Sequence, residues 1–444
     1  ETDEIPFDLP EGWAWVRLGN LSAAIQYGLS NSAEPQGTHR LLRITDIQDG
    51  KVDWNAVPFT TVNDPEAYLL KTGDIVFART GATVGKSFLI TETPYPSVYA
   101  SYLIRIRLLG SLSPEYIYQF FDSACYWSQI TDKSVGVGQP NCNGTSLKEL
   151  FIPLPPISEQ LRIVPTAQAL LAYVAKIDAE KKSLLSIIMA TKSKILDLAI
   201  RGQLIPQDPN DEPASVLLER IRAEKEELIK QGKIKRDKKE SVIFRGEDNS
   251  YYEKMPDGKL HCLDDQLPFE LPDGWEWCNL SMIGTTNIGL TYRPTNIEPD
   301  GVIVLRSCNI VNDQVDLSDL VRVKTTIREN QYVQKNDILI CARNGSRALV
   351  GKCALIPDLG EPASFGAFMA IYRTEYFEYI VHYLRSSFFR SVFDDSNSTA
   401  INQLTQDMLK RAIVPLPPVF EQRRITETID AMLFELNQME KSLI

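Results

Sequence analysis

Apolar and polar positions along the chain follow two regimes, and each regime occurs twice. Short runs at 75–78, 102–108 and 302–305 are rich in branched and aromatic residues and are bounded by turn formers, so they predict strands. Runs at 114–131 and 375–393 space their apolar residues by three and four, which predicts a helix in each. A longer pattern begins after residue 156. Ile163, Ala167, Leu170, Val174, Ile177, Lys181, Leu184, Ile188, Thr191, Ile195 and Leu198 alternate spacings of four and three. Ile425, Ile429, Met432, Leu436, Met439 and Leu443 do the same in the same register. A seven-residue repeat with two mostly apolar positions is the seam of a coiled coil. A helix over 159–201 would span roughly 60 Å, too long to lie on one face of the preceding domain. Residues 202–213 hold Gly202, Pro206, Pro209 and Pro213 and read as a linker, and 214–231 reads as a charged helix. The basic stretch 233–239 is broken by Asp237 and reads as a solvated linker.

The same landmarks return 262 positions later. Leu9-Pro10-Glu11-Gly12-Trp13-Ala14-Trp15 is repeated as Leu271-Pro272-Asp273-Gly274-Trp275-Glu276-Trp277. Pro153-Leu154-Pro155-Pro156 followed by Glu159-Gln160 returns as Pro415-Leu416-Pro417-Pro418 followed by Glu421-Gln422. Between them, 73–79 matches 336–343 with one extra residue, and Val84-Gly85-Lys86 matches Val350-Gly351-Lys352. Two long copies are too few for a solenoid, which stacks at least three short units to bury a core. They predict an α+β chain of two homologous domains in an approximate two-fold arrangement, separated by long coiled-coil helices. The expected boundaries are 1–156 for the first domain, 157–201 for the central helix and 202–264 for the linker and charged helix. The second domain takes 265–418 and a terminal helix 419–444.

Charge changes the picture only partly. The chain carries a net −11, divided as −6 over 1–158, +1 over 159–264, −4 over 265–420 and −2 beyond. Strong unaided binding to nucleic acid rests on neutralising phosphates, and no segment is basic enough for that. Any such contact has to come from local patches or from a basic partner. No apolar run reaches the roughly 18 residues of a membrane span. The seven cysteines are odd in number, scattered, and form no C-x-x-C pair, so neither a disulfide framework nor a zinc site is expected.

Catalytic signatures are missing. Residues 79–87 resemble a phosphate-binding loop, but three residues separate Gly81 from Gly85 where the loop requires four. The second copy has five between Gly345 and Gly351 and ends in Cys353, so both copies read as a strand–turn–strand. His39, His261 and His382 cannot form a metal-binding helix motif. No adenine-methyltransferase signature or S-adenosylmethionine loop is present, and no cofactor is expected.

Two diverged domains that open with Leu-Pro-x-Gly-Trp-x-Trp, close with Pro-Leu-Pro-Pro-x-x-Glu-Gln and are joined by long helices resemble Type I restriction–modification specificity subunits. The stretches 25–28, 42–47 and 202–213 also look like that family. The resemblance covers nearly the whole chain. It implies a non-catalytic, cytoplasmic subunit that binds double-stranded DNA, each domain reading one half of an interrupted target. The helices would fix the gap and dock two modification subunits, with restriction subunits in the full complex. It also implies a leading segment before Glu1 and a longer second helix. Alternatives are a protein-only scaffold or a chain with cryptic nuclease or methyltransferase activity.

Base readout needs paired donors and acceptors, supplied by Arg, Asn and Gln. In the first half the candidates are Tyr27, Ser30, Arg79, Thr80, Thr83, Lys86, Gln139, Asn141 and Asn143. In the second they are Tyr292, Arg293, Arg343, Asn344, Ser346, Arg347, Lys352, Asn402 and Gln403. Arg43 and Arg306 recur in both halves and read as a shared scaffold or phosphate contact.

Overall fold

The computed structural model describes residues 6–48, 50–133, 141–234, 241–394 and 403–443. It divides into two compact units, Glu1–Ala179 and Glu180–Ile444, and the division falls within one continuous helix.

The first unit is built on a four-stranded antiparallel sheet. Its strands are β1 (Ser22–Tyr27), β2 (Ile75–Ala78), β3 (Ser87–Leu89) and β4 (Leu103–Leu108), in the order β1-β4-β2-β3. Successive side chains on a strand point to opposite faces, and β2 buries both. Ile75 and Phe77 pack on the side of Tyr116, Ile117 and Phe120, while Val76 and Ala78 pack against Leu42, Trp54 and Val57. Each such buried side chain contributes about 1.5–3 kcal/mol of transfer free energy. A three-stranded sheet places His39–Leu42 between Phe59–Thr60 and Ser97–Tyr99.

The second unit repeats this plan. Strands β5 (Thr285–Ile288), β6 (Ile338–Cys341), β7 (Cys353–Leu355) and β8 (Met369–Arg373) run in the order β5-β8-β6-β7. Ile338 and Ile340 face one apolar cluster, Leu339 and Cys341 another. The three-stranded sheet also recurs, with Ile297–Leu305 between Val321–Val323 and Ala363–Phe365.

The repeated motifs close each domain on itself. Ala14–Arg17 pairs with Phe151–Leu154, setting Trp15 opposite Pro153, and Glu276–Asn279 pairs with Ile413–Leu416, setting Trp277 opposite Pro415. Phe7 meets Trp15 with ring centroids 4.8 Å apart, and Phe269 meets Trp277 at 5.1 Å. Gln160 donates to the Pro155 carbonyl at 2.9 Å and Gln422 to that of Pro417 at 2.8 Å, tying each closing strand to the helix after it. Both amides are buried.

Three helices follow the closing strands or join the domains: α1 (Ile157–Ile200), α2 (Ala214–Lys230) and α3 (Val419–Leu443). The single helices expected at 114–131 and 375–393 are each broken in two. Pro114–Phe120 gives way to Ala124–Lys133, and Phe377–Arg385 to Ser387–Asp394. Serine hydroxyls restart the second helix each time, Ser123 accepting from the Tyr126 N–H and Ser386 from that of Phe389. Between α2 and the second domain runs a meander, Val242–Arg245, Tyr251–Lys254 and Leu260–Cys262, that the apolar pattern did not announce.

Candidate nucleic-acid interface

At one end of each four-stranded sheet the strand termini bring distant residues together. In the first domain β2 runs into Arg79 and Thr80, and Thr80 pairs in a β-bridge with Asn141. The Cys142 N–H donates to the Arg79 carbonyl at 2.9 Å. Arg79 holds its guanidinium 4.8 Å from the centre of the Tyr27 ring, a cation–aromatic contact worth about 0.5–1 kcal/mol. The Tyr27 hydroxyl accepts from the Gly144 N–H at 2.8 Å. Asn143 caps the helix Gly144–Lys148 by accepting from the Ser146 N–H.

The second domain reproduces the frame with other side chains. Arg343 pairs with Gln403, and the Leu404 N–H donates to the Ala342 carbonyl at 2.7 Å. Arg343 sits 5.5 Å from the ring of Phe368, a residue the sequence reading passed over. Its equivalent, Tyr102, also escaped notice; its carbonyl accepts from the Arg79 N–H at 3.1 Å, as that of Phe368 accepts from Arg343 at 3.0 Å. Both rings are exposed, Tyr102 to 65% and Phe368 to 61%. The signal was available: each closes a short turn one residue before the strand, in register with the matched arginines Arg107 and Arg373.

Backbone crowding fixes this rim. A Cβ on Gly28 would lie 2.3 Å from the Ala100 carbonyl oxygen, and one on Gly289 would lie 2.1 Å from that of Gly366. Only glycine passes so close. Below the rim a buried ion pair is duplicated. Arg107 donates twice to Asp74, both at 2.7 Å, and Arg373 donates to Asp337 at 2.6 and 2.7 Å. These hydrogen bonds push both guanidinium pKa values up. Arg105 donates to the carbonyls of Ala67 and Leu69 and to the Gln26 side-chain oxygen. Burial pushes its pKa down.

The other candidates divide. Ser30 and Lys86 are exposed, and the Thr83 hydroxyl donates to the Thr80 carbonyl at 3.4 Å. Arg293 and Ser346 are exposed on turns, and Arg347 lies on the short turn Arg347–Leu349. Asn344 accepts from the Ser346 N–H and reaches Ser307. Tyr292 packs instead against Leu290, Val304 and Val323. Lys352 donates to the Ile310 carbonyl. Arg43 is held in a fork by Asp46, at 3.0 and 2.6 Å, and Arg306 by Asp319 at 2.9 Å. Gln139 and Asn402 lie outside the described residues. The loop after β2 is a strand–turn–strand, with β3 pairing back on β2, and β6 and β7 do likewise.

On the helices, Ile163 packs against the first domain's core. Leu170, Val174, Ile177 and Leu184 are exposed, with Leu171, Tyr173, Ile187 and Met189 beside them. Within the second unit Ile188 and Ile195 are buried and Leu198 is half-buried. Ile195 shares a cluster with Ile425 and Ile429. Leu433 and Leu436 face that cluster, while Met432 and Met439 are exposed. Lys192 pairs with Glu440, and Gln207 donates to Glu421 at 3.3 Å, so the two segments run antiparallel. Among the described residues no helix is long and apolar enough to cross a membrane.

The family described as the Type I restriction modification DNA specificity domain matches residues 10–187 and again 272–444. This chain belongs to that family. Each match covers one sheet frame and the helix after it, so the specificity domain is the unit that is duplicated. The Type I restriction enzyme EcoAI specificity subunit of Escherichia coli is 25% identical over 509 residues, covering 99% of this chain and 80% of its own. The HsdS subunit from Thermoanaerobacter tengcongensis superposes with a TM-score of 0.55 at 19% identity, over 99% of this chain and 92% of the other. A chain solved in a study of complex assembly and conformational transition of the type I R-M system gives 0.64 at 19% identity, over 99% and 94%. These two likenesses confirm the fold.

Proposed function

We propose that the chain is the DNA-recognition subunit of a Type I restriction–modification complex and works in the cytoplasm without catalysing a step itself. Each domain reads one half of an interrupted double-stranded target. The observation that carries this is the pair of rims: one backbone frame presents an amide, Asn141 or Gln403, and an exposed aromatic ring, Tyr102 or Phe368, at matched positions, with an arginine one position apart in the two copies, Arg79 and Arg343. Arginine and amide groups carry the paired donors and acceptors that distinguish base pairs in the major groove. The reading of individual residues as base or phosphate contacts belongs to this proposal.

The helices set the gap and dock two modification subunits, with restriction subunits joining them. The exposed apolar residues Leu170, Leu171, Tyr173, Val174 and Ile177 on the first unit's part of α1 support a protein partner there, since exposed apolar patches mark interaction sites. The acidic balance supports shared phosphate contact, with the partners supplying cations the chain lacks.

The test is exchange of residues 1–156 for the same segment of a relative, with the methylated motif read by sequencing DNA from cells that hold the full complex. One half of the motif should change and the other stay. A change in both halves would sink the modular reading.

A further inference from the structure

Tyr102 and Phe368 are large rings left in water at the same position of two domains whose other rim residues differ. Fully burying a phenylalanine-sized ring stabilises a fold by about 1.5–3 kcal/mol, so leaving both outside forgoes that gain twice. Neither ring belongs to an apolar core cluster: each projects from a turn whose backbone carbonyl accepts from the neighbouring arginine N–H. Around them the chemistry changes. The bridge partners are Thr80 and Asn141 in one domain, Arg343 and Gln403 in the other, and Tyr27 in β1 is matched by Ile288 in β5. The exposed ring keeps its position in both halves, while the arginine shifts from Arg79, whose guanidinium covers Tyr27, to Arg343, whose guanidinium sits 5.5 Å from the Phe368 ring.

We infer that Tyr102 and Phe368 are a shared apolar contact to DNA, one per half-site, packing on the sugars at the groove edge of the duplex while the neighbouring amide and arginine select the sequence. This rests on the DNA-recognition reading above. Ring contacts with sugars tolerate sequence because every nucleotide carries the same deoxyribose. They also release no counterions, which separates them from cationic contacts. The rings thus add affinity common to all targets, and the amides add choice.

The experiment uses the full chain assembled with its modification subunits and a fluorescent duplex carrying the motif that the wild-type complex methylates. Tyr102→Ala and Phe368→Ala should each weaken binding about ten-fold to a hundred-fold, the range for losing one aromatic side chain buried on binding. The methylated motif, the slope of affinity against salt and the melting temperature should stay unchanged. Tyr102→Phe should bind as wild type, since the ring and not the hydroxyl makes the contact. Arg79→Ala, by contrast, should relax base choice in its half of the methylated motif as well as weaken binding. The inference is overturned if both alanine variants bind within two-fold of a sequence-selective wild-type complex. It is also overturned if their loss of affinity tracks a loss of melting temperature. A wild-type complex that shows no sequence selection would instead bring down the recognition reading itself.

Discussion

The two domains agree at the sheet and part company at the rim. Below the rim the strand order, the double-sided burial of β2 and β6 and the Asp–Arg fork are repeated with the same chemistry. Even the turn before each of these strands keeps a left-handed residue, Gly73 with φ 90° and Asn336 with φ 70°, the two residue types that tolerate it best. At the rim Thr80 stands against Arg343, Asn141 against Gln403 and Tyr27 against Ile288. A buried carboxylate dictates its partner because an unpaired buried charge is costly. A solvent-facing side chain dictates nothing to its neighbours, so the rim can diverge while the frame cannot.

The largest effect should come from breaking the frame. Asp74→Ala and Asp337→Ala each strand a half-buried guanidinium, and loss of one partner of a buried pair costs about 3–5 kcal/mol. Urea denaturation of the two variants should give losses of similar size. A loss under about 1 kcal/mol for one beside a full loss for the other would show that the domains do not share this support.

A smaller and more selective effect belongs to the amides. Asn141→Ala should relax base choice in one half of the methylated motif and Gln403→Ala in the other, each by about 1–3 kcal/mol of discrimination, the worth of one good base contact. Methylation rates on duplex libraries that vary one half at a time measure this. If either substitution altered both halves, the rims would not be independent readers.

How much of this was legible depends on what each residue answers to. The strands at 75–78 and 302–305, the long helix and the duplication were readable because burial imposes period and spacing on the sequence. Ser123 and Ser386 were missed as helix breaks because an apolar period runs through them unchanged, and only their hydroxyl geometry reveals the caps. The Asp–Arg fork was hidden because its partners are 33 residues apart in one domain and 36 in the other, with no local pattern linking them. Arg79, Arg343, Asn141 and Gln403 were recognisable as polar loop residues. Lys352 and Tyr292 were equally plausible there, and only packing withdraws them. Tyr102 and Phe368 were overlooked because an aromatic at a strand start reads as core until its exposure is known.

The smallest effect concerns the thiols. Cys142, Cys278, Cys341 and Cys353 are buried within the domain frames, while Cys262 and Cys308 are exposed. Burial pushes the Cys353 thiol up to about 11 and raises those of Cys278 and Cys341 as well. Thiolate is the reactive form, so at pH 8 a maleimide should label Cys262 and Cys308 first and reach the buried thiols only on unfolding. Mass spectrometry of the labelled peptides reads this directly. Early labelling of Cys341 would mean that the second frame opens locally.

The pairing of each domain's opening strand with its closing strand has a genetic consequence. Trp15 lies against Pro153 and Trp277 against Pro415, so entry and exit of the chain are neighbours. Everything between is a loop, in the topological sense, inserted at one point of the molecule. Two crossovers in the coding sequence, one at each repeated motif, exchange that loop whole and leave the splice points side by side on a two-stranded seam. Because the motifs recur 262 positions apart, the same gene also offers its own halves as templates for such exchange.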